Sequence, residues 1–263
     1  MFTTQRRDSA RARGFTIVEL LVVLGMIAVL AALLTPSVKK AREQANQAVC
    51  ASNLGQIGKA FTMYAQDNGE RFPYHADWTA TNKEDWIHWW SSGTGTGRDA
   101  NNLSKSSAIA KYLGNFKDAL FHCPSDDVRQ HPRIDPARPY PFSYSMNGMF
   151  ASNPRPPNLP PPPRITSTQN PSAKILVVEE DELSLDDGHF WAYPAAFNGN
   201  LENFLGTRHS SPRLRNPRTF QGPAPDQRKD RNERGNIAFA DGHVEMVTRL
   251  YTWSEKAVDP TKP

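Results

Sequence analysis

The sequence has no serine, cysteine or histidine in a nucleophile motif, so acyl transfer by a covalent route has no support. The glycine triplet Gly93, Gly95 and Gly97 has no lysine after it and no strand-to-helix setting, which removes a phosphate cradle. Cysteine is scarce: Cys50 and Cys123 are the only two, so one disulfide is the most the chain can form. A surplus of one charge is lacking too. The formal charge is +4, but Arg6, Arg7, Arg11 and Arg13 of the 31 basic residues, and Asp8 of the 27 acidic ones, precede residue 15. That leaves 27 basic against 26 acidic residues, and no case for a nucleic-acid partner.

What the chain does have is one long apolar run. After the basic leader that ends at Arg13-Gly14, Phe15 to Leu34 are 20 residues with a single charge, Glu19. About 20 apolar residues at ~1.5 Å rise cross the hydrocarbon core of a bilayer. A carboxylate inside such a helix is costly and implies a job and a partner. An ordinary secretory signal is cut behind its apolar core. Here the small residue suited to cutting, Gly14, stands in front of it, so cleavage leaves the helix on the chain with a new amine on Phe15. Glu19 then lies one turn away, at the positive end of the helix macrodipole.

The heptapeptide Gly14-Phe15-Thr16-Ile17-Val18-Glu19-Leu20 resembles the processing and methylation signature of type IV pilins and type II secretion pseudopilins. The resemblance implies cleavage between Gly14 and Phe15 by a prepilin peptidase and N-methylation of Phe15. It also implies that Glu19 neutralises the amine of a neighbouring subunit during assembly. The partners it implies are other pilin-like subunits, secretion or pilus assembly proteins, and inner-membrane lipid. Lys39, Lys40 and Arg42 nearly balance the leader by the positive-inside rule. The orientation, leader inside and bulk in the periplasm or on a cell-surface filament, therefore rests on the signature.

Pro36 is expected to end or bend the first helix, because proline in a helix interior costs ~3 kcal/mol. Beyond it Val38, Ala41, Ala45, Val49, Ile57, Phe61 and Tyr64 recur mostly at steps of three or four, one helical face, with a stop at Asp67-Asn68-Gly69. The expected division is a leader 1–14, a transmembrane half-helix 15–35, an amphipathic half-helix 36–68 and a head 69–263. Cys50 and Cys123 are either bridged, which closes a long loop worth ~4–5 kcal/mol on chain entropy, or two separate thiols.

The head reads as short strands punctuated by proline and glycine, with a short helix near 104–112. Lys174–Glu179 is a buried strand, and 235–247 is a hairpin about Asp241-Gly242, expected as a two-residue type I′ turn. The fold class is α+β, a long N-terminal transmembrane and stem helix packed on a mainly antiparallel β-sheet head. Islands from Cys50-Ala-Ser-Asn53 through Phe121-His-Cys123-Pro124-Ser-Asp126 to Asn236-Ile-Ala-Phe239-Ala-Asp241-Gly242-His243-Val244 resemble a large pilin-like family of planctomycetes and related bacteria. That family is named for a His-x9-Asp-Gly pattern. Here that histidine would fall at Arg231; the nearest upstream histidine is His209, with 31 residues between instead of nine. A basic, proline-rich insertion around 210–234 accounts for the gap.

Two metal sets are candidates. His209, Asp241 and His243 offer nitrogen and oxygen donors suited to zinc. The acidic stretch with Glu180, Asp181, Asp186 and Asp187 offers oxygens suited to calcium, although its spacing is not an EF-hand and a solvated acidic loop explains it as well. Trp86, Trp89 and Trp90 with Trp78 form an aromatic group that either packs over the stem or makes contacts. Pro154–Pro163 is a stiff extended loop and 208–234 a basic one. The reading is a pilin-like filament subunit and not an enzyme. Its alternative is a membrane-tethered module that binds a glycan or a metal ion.

Overall fold

The computed structural model describes residues 16–76, 85–88, 107–114, 117–131, 140–150, 164–182, 184–185, 187–191, 203–210 and 232–263. Helix α1 spans Ile17–Asp67. Its chain divides into two compact units, residues 1–43 and 44–263.

In the first unit the side chains of α1 from Ile17 to Leu34 are exposed; Leu33, for example, keeps 68% of its surface. Pro36 lies inside α1 and does not end it. The missing N–H leaves one carbonyl a turn earlier without its usual donor, and in the same turn the Thr35 hydroxyl donates to Ala31 O at 2.7 Å.

The second unit is the head. The buried face of α1 begins at Cys50 and continues through Leu54, Ile57, Phe61 and Tyr64, a strict four-three alternation. Val38, Ala41, Ala45 and Val49, expected on the same face, are exposed. The cause is a change of face: stepping back from Cys50 by three or four lands on Gln47 and Asn46, not on Val49 or Ala45. Asn68 and Gly69 end the helix as expected. The Asn68 side chain donates to Tyr64 O at 2.7 Å, and Gly69 takes the left-handed φ of +66° that an L side chain resists.

Five strands form one sheet: β1 Tyr144–Asn147, β2 Ile175–Glu179, β3 His189–Phe190, β4 Arg234–Phe239 and β5 Val244–Thr248. Their order is β3-β1-β2-β4-β5, antiparallel except for the parallel β1–β3 pair. Strand β2 is a continuous apolar run from Ile175 to Val178 because both faces are covered. Leu176, Val177 and Ala238 pack with Phe61, Trp86, Phe121 and Tyr140 on the α1 side. Ile175, Val178, Ile237 and Phe239 pack with Trp253 and Val258 from the C-terminal turn and the short helix α2 Glu255–Val258 on the other.

The hairpin β4–β5 is present, with Ala238 opposite Val244, but its turn is not the two-residue type I′. Gly242 N–H donates to Phe239 O and Phe239 N–H to His243 O, both at 2.9 Å, so Ala240-Asp241-Gly242 form a three-residue loop. Only Gly242 has positive φ, +91°, where type I′ needs two such residues. The short helix near 104–112 is a single 3-10 turn, Ala110–Tyr112, within the described residues.

Candidate functional site

The N-terminal end of α1 is closed by its own side chains. Thr16 precedes the first helical residue, and Glu19 is the third residue of the helix. The Thr16 N–H and hydroxyl both donate to Glu19 Oε2 at 2.9 Å, and the Glu19 N–H donates back to Thr16 Oγ1 at 3.2 Å. This reciprocal capping box satisfies donors that a helix start leaves free. The sequence reading found Glu19 but overlooked Thr16, although Thr-x-x-Glu before an apolar run is the signal for this cap. Gly14 and Phe15 lie outside the described residues.

The chemistry of the head converges on Arg208. Its side chain keeps 4% of its surface, and its guanidinium lies 3.0 Å from Glu179 Oε1, 3.5 Å from Asp126 Oδ1 and 3.7 Å from Glu182 Oε1. Burial by itself disfavours that charge, but Asp126, Glu179, Glu182 and Asp181 outweigh it and hold Arg208 above the ordinary arginine value. Asp126 is the mirror case. Burial resists its ionisation, yet Arg208, His131 and Ser143 hold it below the ordinary aspartate value. The Ser143 hydroxyl donates to Asp126 Oδ2 at 2.6 Å. The Glu179 carboxylate also accepts from Asn236 Nδ2 at 2.9 Å, and His209 Nε2 stands 3.0 Å from its Oε1. Beside this network burial, with Glu179 and Asp126 adding to it, pushes the Tyr144 phenol far up, so that it stays neutral.

Cys50 and Cys123 are joined as a disulfide, with Cα atoms 5.3 Å apart across 73 residues of sequence. His209 Nε2 lies 3.3 Å from Cys123 Sγ. His209 therefore belongs to the Cys123–Glu179 neighbourhood. It does not join Asp241 and His243, which pair with each other in the exposed hairpin loop at 2.6 Å. Among the described residues the group with metal-ligand spacing is Cys50, Cys123, Glu179 and His209, so the His209–Asp241–His243 set is not assembled. The reason is topological: Asp241 and His243 sit at the far end of β4 from Arg234, where the chain returns from His209.

Ser210 shows how that return works. Its hydroxyl donates to Glu233 Oε2 and accepts from the Arg234 N–H, both at 2.9 Å. The residues on either side of 211–231 thus meet, as an insertion requires.

The described part of the acidic stretch is mostly buried, with Asp181 and Glu182 half-buried. Glu179 and Glu180 are fully buried. Glu180 accepts from the hydroxyls of Ser145 and Ser184 and from Asn203 Nδ2, Asp181 from Arg249 at 2.6 Å, and Asp187 from the His189 N–H at 2.8 Å. The carboxylates of Glu180, Asp181 and Asp187 thus face protein donors. Sequence order hid this, because Arg208 comes 29 residues after Glu179 and Arg249 comes 68 residues after Asp181. Asp186 lies outside the described residues. Trp86 is buried, its indole N–H donating to Gly188 O at 2.8 Å. Trp78, Trp89, Trp90, Gly93–Gly97 and Pro154–Pro163 lie outside the described residues, as does most of 208–234.

Residues 9–35 match the family model described as the prokaryotic N-terminal methylation motif. The matched residues include the Gly14-Phe15 pair, Glu19 and the apolar run to Leu34. The chain is similar to the type IV wide pilus major component PilA4 of Thermus thermophilus, 46% identical over 57 residues, which are 22% of this chain and 44% of that protein. It is also similar to the type II secretion system core protein G of Pectobacterium carotovorum, 36% identical over 63 residues (24% of this chain, 40% of that one). The core protein G of Klebsiella pneumoniae is 38% identical over 63 residues, again 24% of this chain and 44% of that one. The chain thus spans less than half the length of the curated relatives it matches. No solved structure matches it.

Proposed function

We propose that the chain is a pilin-like structural subunit of a type II secretion pseudopilus or a type IV pilus-like filament. In this reading a prepilin peptidase cuts between Gly14 and Phe15 and methylates the Phe15 amine. The helix then anchors the protein in the bacterial inner membrane as a single pass, with the head in the periplasm. Glu19 leaves its cap on Thr16 to pair with the amine of an adjacent subunit as filament stems bundle. Its work is assembly with other pilin-like subunits, not catalysis.

The observation that carries the reading is the prokaryotic N-terminal methylation motif over residues 9–35, set on a helix whose apolar side chains stay exposed from Ile17 to Leu34. Those side chains need an apolar environment that the chain itself does not supply. Among the described residues this is the one helix long and apolar enough to cross a membrane. The test is Glu19→Val in cells. Leader removal, followed by mass spectrometry of the N-terminus, should persist, while cross-linking to neighbouring subunits should be lost. Undiminished cross-linking would refute the role of Glu19.

A further inference from the structure

We propose that Cys50, Cys123, Glu179 and His209 form a thiophilic divalent-metal centre of the zinc type, assembled when the Cys50–Cys123 bridge is reduced. The four residues come from four separate pieces of the head: α1, the turn after Phe121, the end of β2 and the 203–210 segment. One donor atom from each lies within 4.8 Å of all the others. The Cys123 Sγ to His209 Nε2 distance of 3.3 Å and the His209 Nε2 to Glu179 Oε1 distance of 3.0 Å are near the edges of a tetrahedron. With zinc–ligand bonds of ~2.0–2.3 Å those edges measure about 3.3–3.8 Å. The pair that must separate is the two sulfurs, and breaking their bond permits it.

The donor set chooses the metal. Two thiolates, an imidazole and a carboxylate suit zinc and disfavour calcium or magnesium, which take oxygen ligands. All four positions are protein side chains and the His209 side chain has no exposed surface, so the site is closed, as structural zinc sites are. Supporting contacts are already in place. The Ser143 hydroxyl accepts the Cys123 N–H at 2.8 Å, and Arg208 and Asn236 hold the two oxygens of Glu179. A cation is also at hand. Two thiolates and a carboxylate around a dication leave one negative charge, and the Arg208 guanidinium, which also faces Asp126 and Glu182, lies beside it.

The exchange is conservative in electrons and protons. A dithiol reductant passes two electrons and two protons to the disulfide and becomes a disulfide itself. The two resulting thiols then release two protons to water as the dication binds. Either state ties α1 to the turn at Cys123, one covalently and one through the metal.

The test uses the full chain in detergent micelles, reduced with a phosphine that does not compete for zinc and then kept anaerobic. Cobalt(II) is titrated as the probe. One equivalent per chain should bind with tetrahedral ligand-field bands and thiolate-to-metal charge transfer, and zinc should displace it. The oxidised protein should show neither feature. Cys123→Ser should lose the two-thiolate spectrum, and His209→Gln should weaken binding by more than about tenfold. Near-UV circular dichroism is followed in the same titration: if reduction loosens the head, cobalt or zinc should restore its signal. Absence of charge transfer in the reduced wild type, no recovery of a loosened head, or equal binding by the Cys50→Ser/Cys123→Ser or His209→Gln variants would overturn the proposal.

Discussion

Replacing Arg208 by methionine tests the centre of the head directly. Methionine is similarly long and flexible, so the change removes charge and donors more than volume. It leaves the buried carboxylates of Asp126 and Glu179 without the cation that lies 3.5 and 3.0 Å away. Their remaining donors are His131 and Ser143 for Asp126, and Asn236 and His209 for Glu179. Removing one partner of a buried ion pair costs about 3–5 kcal/mol, because the other charge is left buried. For a unit of this size each kcal/mol lowers Tm by roughly 2–4 °C, so a fall of roughly 6–20 °C is expected. The pH dependence supplies a second signature. In the wild type Asp126 is held below its ordinary value, so its contribution is present above that value and lost as pH falls through the lower folded one. In the variant burial acts with less opposition and a carboxylate takes up a proton at higher pH. The gap between the two proteins should therefore be widest near neutrality. It should narrow on acidification by up to ~1.4 kcal/mol per pH unit for each proton taken up. Urea unfolding of the full chain in micelles, read by tryptophan fluorescence from pH 7.5 to 4.5, measures both. A cost below ~1 kcal/mol at neutral pH, the scale of an exposed pair, would refute the argument.

Three further outcomes follow from the same packing. Cys50→Ser/Cys123→Ser should lower stability by about 4–5 kcal/mol on the chain-entropy estimate for a loop of 73 residues, measured against the oxidised wild type by urea midpoint. Burial, with His75 adding to it, holds His189 well below the ordinary histidine value, 6.5. The unfolded chain therefore binds that proton first, and stability should fall as pH drops from 7.5 to 5.5, with a slope that shrinks in His189→Gln; an unchanged slope counts against it. Gly235→Ala should destabilise by about 1–3 kcal/mol or more in thermal unfolding, since its Cβ would lie 1.9 Å from the backbone oxygen of Gly206.

The sequence was most informative where structure depends on neighbours in the chain. The α1 stop at Asn68-Gly69, the buried strand 175–179 and the β4–β5 hairpin were legible because caps, apolar runs and Asp-Gly act locally. The type of hairpin turn was not, because Asp-Gly fits both a two-residue loop and a three-residue loop with glycine last. The buried helix face starts at Cys50 and not at Val38 as the spacing suggests, because alanine and valine also occur on exposed helix. At the centre of the head the failure was one of charge. Glu179–Asp181 looked like a solvated acidic loop because Arg208 and Arg249, which pair with Glu179 and Asp181, lie far along the chain. The cysteine pair was foreseen as one of two alternatives, whereas its proximity to His209 and Glu179 depends on four segments meeting.

The contact of Ser210 with Glu233 and Arg234 bears on how such signatures are recognised. A motif defined by counting residues assumes that ruler and space agree. In this chain the ruler stretches by some twenty residues while the doorway between them stays shut. Extra sequence can be lodged at that doorway, or trimmed from it, at little entropic cost and without shifting the strand that follows. Sequence variety can thus be acquired between two residues whose own contact holds the start of β4 in place.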